Sequence, residues 1–328
     1  MSDIATLAGV SSMTVSRALH RPELVSSETR ERISAILQSV DFVPDMVAGS
    51  LSSTSSRTIG IVVPTLSHAV FADTIQGLSD VLRPLHYQLF VSATGFSLEA
   101  EESVVRSMLG RRVDCIVITG LTHSEGTRRM LSGASVPVYE MWNIGRPAID
   151  TAIGFSNRSA AIDMTRYLIA KGHRRIGYMG GTLAHNDRAQ DREEGFRHAM
   201  AEAGLALPES AVIHAPYEYR GGAHALQELL LAQPDLQAVL AGAEMLAVGA
   251  VSMALDLGLS LPQDLAIAAF DDSELSALIR PRLTSIEVPR YELGRQLALD
   301  ALERMSGNPP RTRRVIDAGY ELIVRESA

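Results

Sequence analysis

The sequence predicts an α/β protein: a small helical headpiece followed by a body of two doubly wound lobes on parallel sheets. Three observations carry this reading. From Arg57 onward, short apolar or β-branched runs alternate with helical stretches, the pattern of βαβ units and parallel sheet. The alternation comes in two series, opened by the similar segments RTIGIVVP (57–64) and RRIGYMGG (174–181), a weak internal repeat. Residues 1–43, by contrast, read as three short helices.

The first helical pattern is SDIATLAG (2–9), with Ser2 as a candidate N-cap and Ile4, Ala5 and Ala8 on one face. Gly9-Val10 breaks it. SMTVSRAL (12–19) follows, with Ser11 or Ser12 as cap and Val15 and Leu19 facing inward. Ser26 or Ser27 caps a third pattern over 27–40, in which Ile33, Ile36, Leu37 and Val40 recur at helical spacing. Pro44 opens a short helical segment that dissolves into Ser and Thr, the composition of a linker. The first strand series then reads TIGIVVP (58–64), YQLFVSAT (87–94), VDCIVIT (113–119), VPVYEMW (136–142) and TAIGFS (151–156). The second reads RRIGYMGG, AVIHAP (211–216), QAVLAG (237–242) and LAIAAFD (265–271). Two such lobes face a cleft, and ligands of doubly wound sheets bind at the carboxyl ends of the strands.

Composition bounds the function. The chain has 328 residues, 46% hydrophobic and 21% charged, which is globular and long enough for two or three domains. No apolar run reaches the length of a membrane span. The start lacks the three regions of a signal peptide. The single cysteine, Cys115, sits in an apolar run and reads as a buried core thiol. Together these features predict a cytoplasmic protein. Net charge is −8, and residues 1–57 hold five Lys/Arg against six Asp/Glu. Nucleic-acid binding by this segment therefore rests on the placement of charge and of helix N-termini, because bulk charge does not favour it.

Catalytic signatures are missing from the sequence: no GxSxG, Walker A, HExxH or CxxC occurs. The glycines of GYMGGT (177–182) lack dinucleotide spacing and read as a tight βα turn. The nine histidines show no metal-ligand spacing. Neither enzyme activity nor a cofactor nor a metal is expected. LAGVSSMTVSRAL (7–19) is more specific. Ala5, Gly9, Val15 and Leu19 fit a helix-turn-helix core, whose second helix presents its N-terminal residues to a major groove. The same stretch also fits an ordinary helical hairpin on a core.

The segments DIATLAGVSSMTVSRAL, VSSETRERI, RTIGIVVP, KGHRRIGYMGG, REEGF, FDDSEL, RPRLTSI and ELIVRES strongly resemble the LacI/GalR transcriptional regulators over nearly the whole chain. MTVSRAL, FADTIQGL, SMLGRRVDCIVITGLTH, PVYEMW and DTAIGFSN carry a narrower likeness to the gluconate-utilisation repressors. The resemblance implies a headpiece over 1–43, a hinge helix and linker over 44–56, and a periplasmic-binding-protein-like core over 57–328. In that core the N-lobe takes about 57–155 and 287–317, and the C-lobe about 156–286 and 318–328. It also implies a homodimer on a pseudo-palindromic double-stranded operator, with no membrane partner. Family members usually carry a few more residues before the DIA segment, so Met1 reads as a late start.

On the DNA side, the resemblance puts Ser12 and Met13 at base edges, with Ser16 and Arg17 nearby and Ser11, Thr14 and His20 at backbone or neighbouring bases. Arg17 can pair bidentately with guanine, whereas Met13 offers apolar contact alone; helix packing is the alternative role for Met13. Leu51 matches the hinge leucine wedged into the minor groove, and its alternative is a loosely packed linker residue. Gly49 stands where an arginine is common, and glycine costs a helix roughly 1 kcal/mol relative to alanine.

On the effector side, Arg192 matches the family's effector arginine, able to grip a carboxylate or paired hydroxyls; a surface ion pair to Asp187 or Asp191 is its alternative. Asp271 ends a strand where a carboxylate accepts from sugar hydroxyls, or caps the next helix. Phe71, with Val70 and His68, walls the pocket, and Tyr217 stacks on the ligand. Glu140 and Trp142 end a strand at the cleft, and His123 is a further candidate. Ala243-Glu244 stands where the family often has Asn-Asp, which removes a ligand amide. The resemblance thus implies a repressor of a sugar or sugar-acid operon, released by an effector such as gluconate between the lobes. A solute-binding protein without DNA binding is the alternative; it would carry a signal peptide and lack residues 1–56.

Overall fold

The computed structural model describes residues 2–20, 22–40, 55–307 and 313–328. The chain divides into two compact units, 1–56 and 57–328.

In the first unit, α1 (Ser2–Ala8), α2 (Ser12–His20) and α3 (Ser27–Ser39) form a three-helix cluster. Ile4, Ala5, Ala8, Val15 and Ile33 are its buried core, with Val10, Ala18, Ile36 and Leu37 packed against them. Gly9 takes φ +64°, a conformation open to glycine at little cost. The Gly9 amide donates to Thr6 and the Val10 amide to Ala5, a paired closure that ends α1 and turns the chain into α2. Ser11 is the cap of α2, accepting from the Thr14 amide at 3.2 Å; Ser26 caps α3 through the Thr29 amide. Two expectations change. Ser2 lies inside α1 and does not precede it. Val40 follows the last turn of α3 and is exposed, because the chain has left the helix before its side chain can return to the apolar face. The short helix expected from Pro44, with Gly49 and Leu51, lies outside the described residues.

The second unit contains two six-stranded sheets. The first is built from β1 (Thr58–Val63), β2 (Gln88–Ala93), β3 (Cys115–Thr119), β4 (Val138–Met141), β5 (Thr151–Gly154) and β11 (Arg314–Asp317). Its order is β11-β5-β4-β3-β1-β2, all parallel. The second is built from β6 (Ile176–Gly180), β7 (Val212–His214), β8 (Ala238–Ala241), β9 (Ala266–Asp271), β10 (Thr284–Glu287) and β12 (Glu321–Ile323). Its order is β12-β10-β9-β8-β6-β7, with only β12 antiparallel. The central strands are buried along their length, as strands covered by helices on both faces must be. Cys115 is fully buried, and burial pushes its thiol pKa up.

The helices are α4 (Ala69–Leu82), α5 (Leu98–Gly110), α6 (Glu125–Gly133), α7 (Asn157–Ala170), α8 (Asp187–Glu202), α9 (Tyr219–Ala232), α10 (Glu244–Asp256), the short α11 (Glu274–Leu278) and α12 (Arg290–Gly307). None described is long and apolar enough to cross a membrane. The chain crosses between sheets after β5, after β10 and between β11 and β12. Arg304 of α12 anchors one crossing: its Nη2 donates to both carboxylate oxygens of Asp150 at 3.0 Å, and its Nη1 to Thr151 at 2.9 Å. In each sheet the order reverses about its first strand, β1 or β6, and the loops beyond the carboxyl ends of the strands there define a crevice.

Candidate effector cavity and nucleic-acid interface

The crevice contains a cavity of about 320 Å3, at the small end of the range for ligand sites. Its walls come from strand ends of both sheets. The loop after β1 and the start of α4 bring His68, Val70 and Phe71; the β2 loop brings Phe96; Trp142 follows β4. From the other sheet, α8 brings Arg188 and Arg192, the β7 loop brings Tyr217, and Asp271 ends β9.

Aromatic rings make one wall. Phe71 meets Trp142 edge-on at 5.7 Å between centroids, His68 meets Tyr217 edge-on at 5.6 Å, and Phe96 stacks on Tyr217 at 6.0 Å. Burial outweighs the nearby Asp271 charge and lowers the His68 pKa, which favours the neutral ring. Trp142 holds φ +79°, an uncommon conformation for a bulky residue and of the kind that clusters at functional sites. It is 2% exposed, and its Nε1–H has no partner among the described residues. A buried donor left open beside a cavity is satisfied by a ligand oxygen or water.

Charged side chains make another part of the lining. Arg192, 6% exposed, donates through Nε to Asn157 at 2.7 Å, through Nη1 to the Gly242 carbonyl at 2.5 Å, and through Nη2 to Asp271 at 3.5 Å. Its guanidinium also lies 4.4 Å over the centre of the Phe270 ring. The arginine is thereby fixed beside the carboxylate, and the pair presents a donor and an acceptor to a polyol. Asp271 takes φ +91°, and its carbonyl accepts from Arg290, which also bonds Asp73 of α4 at 2.8 Å. Arg290 therefore ties the Asp271 backbone to the other lobe.

A second interlobe tie lies beside the cavity. Asn143 donates to Asp187 and to Asp191, both at 2.7 Å, and Arg146 donates to Asp191 at 2.7 Å. Burial alone would raise the Asp187 pKa, but Arg188 and the Asn143 hydrogen bond hold it below the usual carboxylate range. Asp187 and Asp191 thus bond Asn143 and Arg146, and Arg192 is left to Asp271.

The structure brings His68, Val70, Phe71, Trp142, Arg192, Tyr217 and Asp271 together around one cavity. His123 and Glu140 are not in its lining. His123 Nδ1 lies 3.0 Å from Glu101 and Nε2 lies 3.3 Å from Glu140, all three buried. The reason is the two-residue period of a strand. Glu140 shares its face of β4 with Val138, which packs in the cluster of Val105, Met108 and Leu131 from α5 and α6; Tyr139 and Met141 take the other face. Arg188, Asn186 and Phe96 were missed. Arg188 falls one helical turn before Arg192, so the i, i+4 rule could have found it; Phe96 carries no such signal. Glu244 also lines the cavity, but its carboxylate is occupied by Ser273 and Ser276.

In the headpiece, Ser11, Ser12, Met13 and Arg17 are exposed, Thr14 and Ser16 are half-buried, and Val15 is fully buried. Met13 is 62% exposed, which removes its alternative role in packing this unit. His20 ends α2. Ser12, Met13 and Arg17 are thus exposed on a helix whose Val15 closes the core; the side chains of Leu19 and His20 lie outside the described residues.

Two family models match the chain: bacterial regulatory proteins of the lacI family over residues 1–45, and periplasmic binding proteins and sugar binding domain of the LacI family over 56–318. The chain is 35% identical to the HTH-type transcriptional regulator GntR of Escherichia coli strain K12, covering 98% of this chain and 96% of that protein. It is 31% identical to the HTH-type transcriptional regulator IdnR of the same strain, with the same coverage. A crystal structure of a LacI-family transcriptional regulator from Silicibacter pomeroyi superimposes with TM-score 0.90 at 30% identity, covering 99% of this chain and 98% of that one. A helix-turn-helix headpiece joined to a two-lobed sugar-binding body, matched over its length, makes this chain a member of the LacI family of DNA-binding transcriptional regulators.

Proposed function

We propose that this regulator represses a sugar-acid utilisation operon and is released when an aldonate such as gluconate binds between its lobes. The observation that carries the reading is the pairing of Arg192 with Asp271 in a small aromatic-walled cavity, with Arg188 on the same helix face. Asp271 accepts from hydroxyls, the arginines supply donors to anionic or hydroxyl oxygen, and the ring faces cover the carbon chain. The likeness to gluconate-utilisation repressors supports the same ligand class.

On DNA, Ser12, Met13, Ser16 and Arg17 read base edges in the major groove, with Ser11, Thr14 and His20 beside them and Leu51 in the minor groove. The protein acts as a homodimer on a pseudo-palindromic operator. Coupling follows from linkage: an effector that binds the two lobe arrangements unequally shifts the operator-binding equilibrium, and one that binds them equally does nothing. The ties through Arg290 and Arg146 are where such a difference is registered.

The test is a gel shift with DNA upstream of a sugar-acid operon from the same genome. Retardation, relieved by millimolar gluconate, is expected. No retardation of any such DNA overturns the repressor reading. Release by a different sugar, with gluconate inert, overturns only the effector assignment.

A further inference from the structure

The two cavity arginines are differently committed. Arg192 uses Nε, Nη1 and Nη2 on Asn157, Gly242 and Asp271, so all three of its nitrogens are held by the protein, with one N–H left on each Nη for a ligand hydroxyl. Arg188, 8% exposed, donates only through Nη1, to Asp187 at 3.1 Å. Among the described residues its Nε and Nη2 have no acceptor. Asp187 is meanwhile bonded by the Leu121 amide and Asn143, so it does not depend on Arg188 for its hydrogen bonds.

Arg188 lines the cavity, so an acceptor that reaches its open Nε and Nη2 gains charge-assisted hydrogen bonds there. The matching acceptor is a planar carboxylate, which takes two parallel hydrogen bonds from Nε and Nη2, whereas a hydroxyl fills one position. We infer that Arg188 is the specificity-determining residue that binds the ligand carboxylate and so selects a sugar acid over the corresponding neutral sugar. Arg192 and Asp271 then hold hydroxyls common to both. This rests on the sugar-acid reading above and assigns its anion to one side chain.

Isothermal titration calorimetry on the full chain tests it, with gluconate, the neutral gluconamide and glucitol, and glucose 6-phosphate. The wild type is expected to prefer gluconate over gluconamide by about tenfold or more, the worth of a charge-assisted pair. Arg188→Gln is expected to bring that preference to near unity while gluconamide affinity moves little. Arg188→Lys, which keeps the charge without the fork, is expected to fall between the two. A wild-type preference retained in full by both variants overturns the assignment, as does a wild type that takes gluconamide as tightly as gluconate. Preference for glucose 6-phosphate that is lost in Arg188→Gln places a phosphate at this arginine and also overturns the carboxylate. If Arg188→Gln binds nothing and has a lowered melting temperature, Arg188→Lys decides. A wild type that binds no aldonate defeats the proposed effector itself, a result distinct from all of these.

Discussion

Gly181 lies directly under the ring of Tyr217: a Cβ at position 181 would stand 2.0 Å from Tyr217 Cζ. The third glycine of GYMGGT thus serves the cavity wall, because its missing side chain is the space that the ring fills. Gly181→Ala forces the ring away, and overpacking of this kind costs about 1–3 kcal/mol. A lowered melting temperature and at least about tenfold weaker effector binding are expected. Calorimetry showing unchanged affinity would mean that Tyr217 takes no part in the wall.

Removing Arg192 leaves Asp271 as a buried carboxylate without its cation and the Gly242 carbonyl without its donor. Breaking a buried pair from one side costs about 3–5 kcal/mol. Arg192→Ala is therefore expected to lose both effector response and stability, read by gel shift with effector and by urea unfolding. Full stability with lost response would show that the pair serves only the ligand.

His123 predicts a pH dependence. Burial pushes its pKa down, but the hydrogen bonds to Glu101 and the Glu140 carboxylate 3.3 Å from Nε2 outweigh this and raise it to about 9. A pKa raised in the folded state means that the protonated ring stabilises the fold. That contribution is complete below the unfolded value near 6.5 and is lost as pH rises through about 9. The urea midpoint is expected to fall between these pH values, by an amount worth a few kcal/mol, and His123→Asn is expected to flatten the slope. A midpoint that is constant or rising across this window rules the buried imidazolium out.

In the headpiece, neighbours on one helix separate folding from recognition. Val15 is fully buried and Met13 is 62% exposed. Val15→Ala is expected to cost about 1–3 kcal/mol of core packing and to weaken binding to all DNA sequences alike. Met13→Ala is expected to change stability by less than about 0.5 kcal/mol and to alter operator preference at one base pair. Thermal melts and a panel of single-substitution operators distinguish the two.

Local features of the sequence determined the helix-turn-helix, the Gly9 turn, the two strand series and the strand-end positions of Trp142 and Asp271. Each is set by side-chain period, turn chemistry or a short motif, and neighbours in sequence are enough to fix it. Tertiary structure decided which strand-end residues meet the ligand. Glu140 and Trp142 are two residues apart, yet one is buried with His123 and Glu101 and the other lines the cavity. The positive φ of Trp142 breaks the strand alternation that would have kept the two on one face. The division between Arg188 and Arg192 was likewise beyond the sequence. It depends on Asn157, Gly242 and Asp271, which approach one arginine from three other elements. Only the assembled lobe shows which guanidinium keeps Nε and a whole Nη free for an incoming acceptor.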